Sequence, residues 1–387
     1  ENVAEVVAIN DVILVRHVKR QFFASDPHGW RALALVPKEG RFFALEQMPY
    51  AQAALMSIQP ETGYVVAQVG GFDFSESTFN RAVQACREPG SAFKPIVYAS
   101  AIDKLDYTAS TLIDDKPIIF NDPEHAVRWK PENAGDEFRG QLPLRTCLKD
   151  SINTPALRIA AAVGIDEVID TARRFGITTA LKRELGTALG SSCVTLAELM
   201  QVYVALNQYG LKTPQIFVRR IVDRYGNILE DQGDPQDATI DLTSRLDRAY
   251  KKLHQPRTRV IDEQTAFLTL SLLKAVVQSG TGIAASRLGV PTAGKTGTTN
   301  DAYDAWFMGF TRHLVTGVWV GHDQKDRPLG IGEQGGRTAL PIWLDYMQWA
   351  LLDYTSHPAH KLPSPDFPPP DGIVSVPIDP ETGLLAR

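Results

Sequence analysis

The chain has 387 residues and a formal net charge of −5, with 44% hydrophobic and 22% charged residues. This composition is typical of a globular protein with one large or two smaller domains, and it lacks the basic excess of a general nucleic-acid-binding surface. No stretch reaches about 18 consecutive apolar residues, so we predict no membrane span, and the first ten residues do not resemble a signal peptide.

The cysteine and histidine content predicts no metal site. Cys86, Cys147 and Cys193 form an odd, sparse set without metal-binding spacing, which argues against a disulfide framework. We therefore expect packed thiols at these positions. His357 and His360 form an HxxH pattern, but they lie in a proline-rich segment, where a solvated tail is the better interpretation.

The chain divides into three predicted regions. Residues 1–45 mix β-like runs with a stretch containing proline and glycine, which predicts a linker or the edge of a small β-module. Residues 46–356 carry the strong periodic patterns and are predicted to form the main domain. Residues 357–387 are rich in proline and predict an extended tail that is a poor core former.

Strand patterns occur at both ends of the main domain, with helical patterns between them. ALMSIQ and YVVAQVGG flank a PETG turn and predict a β-hairpin, and VPTAGKTGTT, DAWFMGFT and LVTGVWVGHD predict three late strands. The helical patterns include TPALRIAAAVG, IDEVIDTARRFG, LAELMQVYVALNQYG and DEQTAFLTLSLLKAVVQSG, and ALPIWLDYMQWALLDY predicts a closing helix. We predict an α+β fold with an antiparallel sheet of about five strands, built from both chain ends, and a large all-helical subdomain.

The stretch REPGSAFKP places Ser91 after a Pro-Gly turn, at the start of a predicted helix, with Lys94 three residues later on the same face. A serine hydroxyl is a weak nucleophile that needs an adjacent base, and the free N–H groups of a helix start favour a developing anion. A lysine can be that base only when it is partly neutral. The pattern alone is weak, because Ser271 and Lys274 repeat it inside an apolar helix with no preceding turn.

Ser151 and Asn153 form a second motif, SIN, before a predicted helix start. Taken alone, these residues are better interpreted as a helix cap or loop. The functional alternative is a hydroxyl that relays a proton and an amide that orients the lysine and a substrate carbonyl.

A third motif, KTGT, lies on a predicted strand at residues 295–298. Glycine is unfavourable inside a strand unless another group must approach the backbone closely, and a substrate laid along the strand is such a group. Lys295 would add a second positive charge that lowers the pKa of Lys94 and attracts a carboxylate. The hydroxyls of Thr296 and Thr298 could hold that carboxylate.

The ordered motifs Ser-x-x-Lys, Ser-x-Asn and Lys-Thr-Gly resemble the signature of penicillin-binding proteins. Residues 46–387 resemble class A, bifunctional members, in a segment order most like the transpeptidase portion of the 1A type of Gram-negative bacteria. The stretches that carry this resemblance are VGGFDFSESTFNRAVQACREPGSAFKP, WKPENAGDEFRGQLPLRTCLKDSINTPALRIA and AGKTGTTNDAYDAWFMGFTRHLVTGVWVGHD. The resemblance implies the penicillin-binding, serine β-lactamase-like fold.

The resemblance also implies a penicillin-sensitive, serine-type D,D-transpeptidase of peptidoglycan. Ser91 would attack the penultimate D-Ala carbonyl of a stem peptide, with Lys94 taking its proton. Ser151 would relay that proton to the leaving D-Ala, and Asn153 would hold the lysine and the substrate amide. An amine of a neighbouring stem peptide would then accept the acyl group.

The remaining implied roles concern substrate binding. The backbone N–H groups of Ser91 and Thr298 would form the oxyanion hole. Lys295, Thr296 and Thr298 would bind the terminal carboxylate. Gly297 lies between them on the same strand and is also expected to be a substrate-binding residue.

The implied partners are stem peptides ending in D-Ala-D-Ala and β-lactam antibiotics, with other cell-wall synthesis proteins as further candidates. We expect no cofactor, no metal and no nucleic acid. A class A protein would also carry a membrane helix and a glycosyltransferase domain, and neither lies in this sequence. We therefore expect that this chain does not polymerise glycan strands. We also expect it to lie at the periplasmic face of the bacterial inner membrane, held there by an anchor that is not in this sequence.

Two positions depart from the family pattern: Cys147 replaces an expected small residue, and Gln334 stands where threonine is frequent.

Three alternative functions share the motifs. A serine β-lactamase would carry a Glu-x-x-Leu-Asn loop, which is absent from the sequence. The flanking matches argue against a D,D-carboxypeptidase, and no segment resembles the signalling helix of a non-catalytic β-lactam sensor.

Overall fold

The computed structural model describes residues 14–18, 42–46, 49–122, 127–135, 137–233, 241–254, 258–356, 366–379 and 382–385. The chain folds as two compact units, Glu1–Tyr50 and Ala51–Arg387. In the first unit, two short strands pair antiparallel, Leu14–Val18 (β1) with Phe42–Glu46 (β2). The domain boundaries predicted from the sequence stay predictions.

The second unit contains the remaining described elements. Its strands are β3 (Gln52–Ile58), β4 (Val65–Val69), β5 (Leu112–Asp115), β6 (Phe120–Asp122), β7 (Val127–Trp129), β8 (Gly140–Pro143), β9 (Arg220–Val222), β10 (Ile228–Asp231), β11 (Ala293–Thr298), β12 (Asp304–Phe310) and β13 (Val315–Gly321). Its α-helices are α1 (Lys94–Leu105), α2 (Leu144–Lys149), α3 (Asn153–Val163), α4 (Ile165–Phe175), α5 (Leu196–Asn207), α6 (Leu242–His254), α7 (Glu263–Ser279) and α8 (Ala339–Ser356).

A five-stranded antiparallel sheet forms the centre of the second unit, in the order β11-β12-β13-β3-β4. The early hairpin β3–β4 joins the late strands through the β13–β3 pair, in which Gln52 lies opposite Gly321. This arrangement confirms the predicted α+β fold and its sheet from both chain ends. The strand β11, which carries KTGT, lies at one edge of the sheet.

Strand β12 shows how the sheet separates two apolar layers. Trp306, Met308 and Phe310 belong to the larger core with α1, α5 and α7, whereas Ala305 and Phe307 face the opposite layer, which includes α8. This alternation follows from the two-residue period of a strand. Because every residue of β12 is buried, the strand has the continuous apolar character of a central strand.

Helix α1 lies inside the larger core and packs against α3, α4 and α7. All residues from Lys94 to Ile102 are buried. Over these residues the helix is therefore buried on all sides and presents no face to solvent. The lysine at its first position is placed under the sheet edge rather than in solvent.

The expectation of three packed thiols is wrong for two of the cysteines. Cys86 and Cys193, 107 residues apart, form a disulfide, while Cys147 is a buried free thiol. The pairing arises because the backbones of Arg87 and Val194 form an antiparallel bridge that brings the two cysteines together. Sequence spacing does not contain this information.

The proline-rich tail contributes more to the core than its composition predicts. Phe367 is 4% exposed and packs edge to face on Phe310, with ring centroids 5.7 Å apart. The tail is also held by the Tyr209 hydroxyl, which donates to Pro368 O at 2.9 Å.

The HxxH pattern at 357–360 lies outside the described residues. Among the helices in the described ranges, none combines the length and apolar character needed to cross a bilayer.

Candidate active site

Ser91 lies on a single 3₁₀ turn, Gly90–Phe93, that leads directly into α1 at Lys94. The predicted helix start is therefore present, with a 3₁₀ rather than an α-helical first turn. Gly90 has φ of +52°, and a Cβ at this position would lie 2.4 Å from the carbonyl oxygen of Thr298. Only glycine meets both demands without strain, so Pro-Gly delivers Ser91 against the end of β11.

The Lys94 side chain is fully buried and is held by the second motif. Its ammonium donates to the backbone oxygens of Ser151 (2.6 Å) and Ile152 (3.1 Å) and to Asn153 Oδ1 (2.8 Å). A longer contact of 3.4 Å reaches Ser151 Oγ. Among the described residues, no hydrogen bond of this ammonium goes to Ser91. Lys94 is thus held by residues 151–153.

Ser151 connects the first and third motifs. It has φ of +60°, a left-handed conformation that is strained for serine and is found disproportionately at functional sites. Its Oγ accepts a hydrogen bond of 2.8 Å from Lys295 Nζ, which also donates to Thr296 O at 3.0 Å. The Ser151 hydroxyl therefore lies between the ammonium groups of Lys94 and Lys295.

Burial sets the electrostatics of the two lysines. It lowers the pKa of Lys94 well below its ordinary value of 10.5, and the charge of Lys295 lowers that pKa further. Burial also lowers the pKa of Lys295 to about 7. Near neutral pH, one of these two lysines can therefore be present as the neutral amine. A lysine must be neutral to act as a base.

Each of the two threonine hydroxyls of the third motif has a hydrogen-bond partner outside the motif. Thr296 Oγ1 and Thr281 Oγ1 are 2.8 Å apart, and Thr298 Oγ1 accepts from the Gly335 N–H at 3.1 Å. Thr281 and Gly335 were not identified from the sequence as site residues. They keep the two threonine hydroxyls oriented at the edge of β11.

The structure gives a different reason for Gly297 than the sequence did. A Cβ at this position would lie 2.4 Å from Pro89 O and 2.9 Å from Ala92 Cβ. The turn that carries Ser91 therefore approaches this glycine closely and leaves no room for a side chain. Gly335 packs on the other side, where its own Cβ would lie 2.5 Å from Gly297 O.

A buried polar network behind the second motif was also missed by sequence reasoning. Asn133 Oδ1 accepts from the N–H groups of Asn153 (3.1 Å) and Thr154 (3.2 Å). Its Nδ2 donates to Asp115 Oδ1 at 2.8 Å, and that carboxylate oxygen also accepts from the Thr154 hydroxyl. Asn133 lies in the WKPENAGDEF stretch that carried the family resemblance, but nothing in that stretch alone showed this role.

An open cavity of about 570 Å³ lies over these groups. It exposes Ser91, Ser151, Asn153, Thr296 and Thr298, and the two lysines lie beneath its floor. Its other lining residues include Glu88, Trp129, Glu132, Asp150, Ser191, Asp301, Glu333 and Gln334. The three motifs, separated by up to 207 positions in the sequence, therefore form one site.

The second Ser-x-x-Lys pattern is not part of this site. Ser271 Oγ donates to Leu268 O at 2.7 Å within its own helix, and Lys274 forms an ion pair of 2.7 Å with Asp366. The Cys147 thiol, which replaces the small residue expected from the family pattern, is also unreactive, because burial raises its pKa to about 12.

The sheet, the helical layer and the three converging motifs are those of the penicillin-binding fold. Residues 53–348 match the family described as Transpeptidase, penicillin binding protein transpeptidase domain. The chain belongs to this family.

Within the family, the chain is similar to proteins named penicillin-binding protein 1A. It is 38% identical to the one from Pseudomonas aeruginosa over 371 residues, covering 88% of this chain and 44% of that protein, and 38% identical to the one from Aquifex aeolicus, covering 88% and 43%. The crystal structure of penicillin-binding protein 1A from Haemophilus influenzae matches with a TM-score of 0.77 and 32% identity, covering 89% of this chain and 53% of that one. The PonA1 protein from Mycobacterium tuberculosis in complex with penicillin V matches with a TM-score of 0.65 and 25% identity, covering 79% of each chain. The chain thus spans less than half the length of these curated relatives.

Proposed function

We propose that this domain is a peptidoglycan D,D-transpeptidase in which Ser91 is the nucleophile and Lys94 its base. The observation that carries the proposal is the chain of groups Lys94–Ser151–Lys295, which lies under the cavity that exposes Ser91. Two desolvated lysines bridged by one hydroxyl can accept, store and return a proton, and acyl transfer through serine requires such a group.

In the acylation step, Ser91 Oγ attacks the carbonyl of the penultimate D-Ala, and its proton passes to Lys94. The C–N bond to the terminal D-Ala breaks as a proton passes from Lys94 through Ser151 to the leaving nitrogen. Lys94 Nζ and Ser151 Oγ are 3.4 Å apart, so this relay requires the pair to close to about 2.6–3.2 Å when the substrate is bound. An amine of a second stem peptide then attacks the ester, gives its proton to the same pair of groups, and Ser91 regains its hydroxyl.

The backbone N–H groups of Ser91 and Thr298 are the proposed oxyanion hole. Their proximity is supported by the close approach of Gly90, where a Cβ would lie 3.2 Å from the Thr298 nitrogen. Donors fixed in this way need no rearrangement as negative charge develops on the carbonyl oxygen, and one such donor is worth about 3–4 kcal/mol.

The donor peptide is proposed to bind along β11. This strand lies at the edge of the sheet, so its free side can pair with an extended peptide, including the backbone at Gly297. The peptide's terminal carboxylate would be held by the Lys295 charge and by the hydroxyls of Thr296 and Thr298. β-Lactams would occupy the same position and acylate Ser91, as the penicillin V complex of PonA1 suggests by similarity.

We also propose a periplasmic location, at the outer face of the bacterial inner membrane. The disulfide Cys86–Cys193 fits an oxidising compartment. A membrane anchor and a glycosyltransferase half would belong to the part of the relatives that this chain does not span.

The product formed from a stem-peptide mimic tests this function. The mimic ends in D-Ala-D-Ala and has its side-chain amine blocked, and mass spectrometry follows the products with and without a separate acceptor amine. We expect release of one D-Ala and a crosslinked product when the acceptor is present. Hydrolysed peptide alone would support a carboxypeptidase, and loss of a penicillin adduct within seconds would support a β-lactamase. A stable adduct without any peptide product would support a sensor.

A further inference from the structure

Two chain segments that border the cavity pair with each other. The nucleophile segment, residues 86–91, runs antiparallel to the facing segment, residues 190–194. Arg87 N–H donates to Val194 O at 2.9 Å, and Val194 N–H donates to Arg87 O at 2.9 Å. The nucleophile segment is therefore attached to the opposite wall of the site as well as to β11.

The two segments touch without side chains between them. Gly90 N–H donates to Gly190 O at 3.3 Å, and a Cβ on Gly190 would lie 2.2 Å from Gly90 O. Since Gly90 immediately precedes Ser91, a shift of the facing segment is transmitted to the nucleophile over a single residue. Ser91 and Gly190 both line the cavity, so this contact joins two parts of its wall.

The Cys86–Cys193 disulfide adds a covalent link across this pairing. It joins the residues that precede Arg87 and Val194, the two members of the backbone bridge. Cys86 is exposed, so the bond is within reach of a soluble dithiol. The mechanism proposed above does not use the bond.

Arg87 fixes the same segment from the side of the sheet. Its guanidinium lies over the Trp319 ring, 4.8 Å from the centroid, and donates to Asp323 O at 2.7 Å. The fully buried carboxylate of Asp304 lies 3.9 Å away and is partly balanced by this charge. The side chain of Arg87 is thus tied to β13 and to the first residue of β12.

We propose that the Cys86–Cys193 disulfide and Arg87 are positioning groups that together hold Ser91 in its acylation geometry. We call this arrangement the clamp. The proposal rests on the proposed role of Ser91 as nucleophile. Reduction by a dithiol breaks the S–S bond, gives two thiols and converts the dithiol to its own cyclic disulfide. The clamp then keeps only its hydrogen bonds, and the orientation of Ser91 becomes less restricted.

Acylation kinetics with a fluorescent penicillin test the clamp. The acylation rate constant at saturation and the half-saturating concentration are measured for the oxidised protein, for the dithiothreitol-treated protein and for a Cys86→Ser, Cys193→Ser double variant. We expect the rate constant to fall about tenfold in the last two, with the half-saturating concentration changed less than about twofold, because misplacement of a reacting group lowers the rate of the chemical step. Dithiothreitol should not change the double variant further.

Arg87 is tested in the same assay. Arg87→Ala should lower the rate constant to a similar extent, and Arg87→Lys should recover part of it, because a positive charge near Asp304 is kept. Arg183→Ala is the matched control, since its ion pair with Asp166 is exposed. Circular dichroism at the assay temperature shows that each variant is folded.

A double variant with the unaltered acylation rate constant, and only a lower melting temperature, would overturn the proposal. Hydrogen exchange gives a second readout that does not depend on acylation. The amides of Arg87, Gly90 and Val194, which donate from one segment to the other, should exchange at least about tenfold faster after reduction, because these segments then open locally. If the oxidised protein is not acylated at all, the proposed function fails, whereas unaltered exchange would contradict the clamp alone.

Discussion

The Lys295 ammonium donates a 2.8 Å hydrogen bond to the Ser151 hydroxyl, and this hydroxyl lies 3.4 Å from the ammonium of Lys94. One serine therefore links two fully buried lysines that come from opposite ends of the domain sequence. Since burial disfavours two neighbouring positive charges, this link makes the protonation of one lysine depend on that of the other.

Replacing the proposed nucleophile should abolish covalent labelling. Ser91→Ala removes the hydroxyl that would be acylated, so we expect no fluorescent-penicillin adduct on a denaturing gel or by intact-mass spectrometry. Ser271→Ala is the matched control, because that serine belongs to the second Ser-x-x-Lys pattern and donates to Leu268 O within its own helix. Equal labelling of the Ser91→Ala variant would disprove the assignment.

Acylation should show a bell-shaped pH profile. The reaction needs Lys94 neutral, which becomes true as pH rises through its lowered pKa, and Lys295 charged, which ceases as pH rises through about 7. The second-order acylation rate constant should therefore rise and then fall, with the alkaline limb near neutral pH. Stopped-flow measurement of penicillin acylation across pH gives this profile.

Lys295→Arg tests the assignment of the alkaline limb. A guanidinium stays charged up to a pH of about 12, so the alkaline limb should move out of the accessible range. An alkaline limb at the same pH in this variant would show that Lys295 is not the group responsible.

Removing the charge at 295 should stabilise the fold while it removes function. The pKa of Lys295 is about 7 in the folded protein and 10.5 ordinarily, so the folded state binds the proton less readily. The resulting loss of stability is fully present below pH 7 and fades as pH rises towards 10.5. We expect Lys295→Met to raise the free energy of unfolding by about 1–3 kcal/mol near pH 6 and by less near pH 9.5.

Lys274→Met is the control for this prediction, because Lys274 pairs with Asp366 near the surface. Its effect on unfolding should stay within about 0.5 kcal/mol and vary little with pH. Urea unfolding at both pH values measures the two variants. A Lys295→Met protein less stable than the parent near pH 6 would contradict the predicted cost of burying this charge.

Gly90→Ala should be much more disruptive than an alanine at another left-handed glycine. Position 90 combines φ of +52° with a Cβ contact of 2.4 Å to Thr298 O. Gly289 has φ of +75°, and no atom of the described residues would lie within 4 Å of its Cβ. We expect a loss of roughly 1–2 kcal/mol for Gly289→Ala from backbone strain alone, and a larger loss for Gly90→Ala. Penicillin labelling should fall sharply only for Gly90→Ala. Equal effects of the two variants would show that the contact with β11 is unimportant.

Asn133→Ala should weaken the support of the second motif. The substitution leaves the N–H groups of Asn153 and Thr154 without their acceptor, which costs about 1–3 kcal/mol for buried donors. We expect lower stability and a lower acylation rate constant, measured by thermal unfolding and by penicillin labelling. Asn227→Ala, in an exposed turn, should leave acylation unchanged. An unaltered rate constant for Asn133→Ala would limit Asn133 to a structural role.

The sequence alone determined the element types and the three motifs. The hairpin around PETG, the late strands and the helices follow from periodicity and turn residues, which act over a few neighbouring positions. For the same reason, the position of Ser91 after Pro-Gly could be predicted and distinguished from Ser271. The sheet from both chain ends followed from the order of these elements.

Only the tertiary structure decided which distant residues meet. It paired Cys86 with Cys193, placed Asn133 behind Asn153, buried Phe367 of the tail in the core, and showed that Gly297 makes room for the turn that carries Ser91. These contacts join segments tens to hundreds of residues apart. Their geometry depends on how helices and strands pack, and local sequence patterns carry no record of that packing.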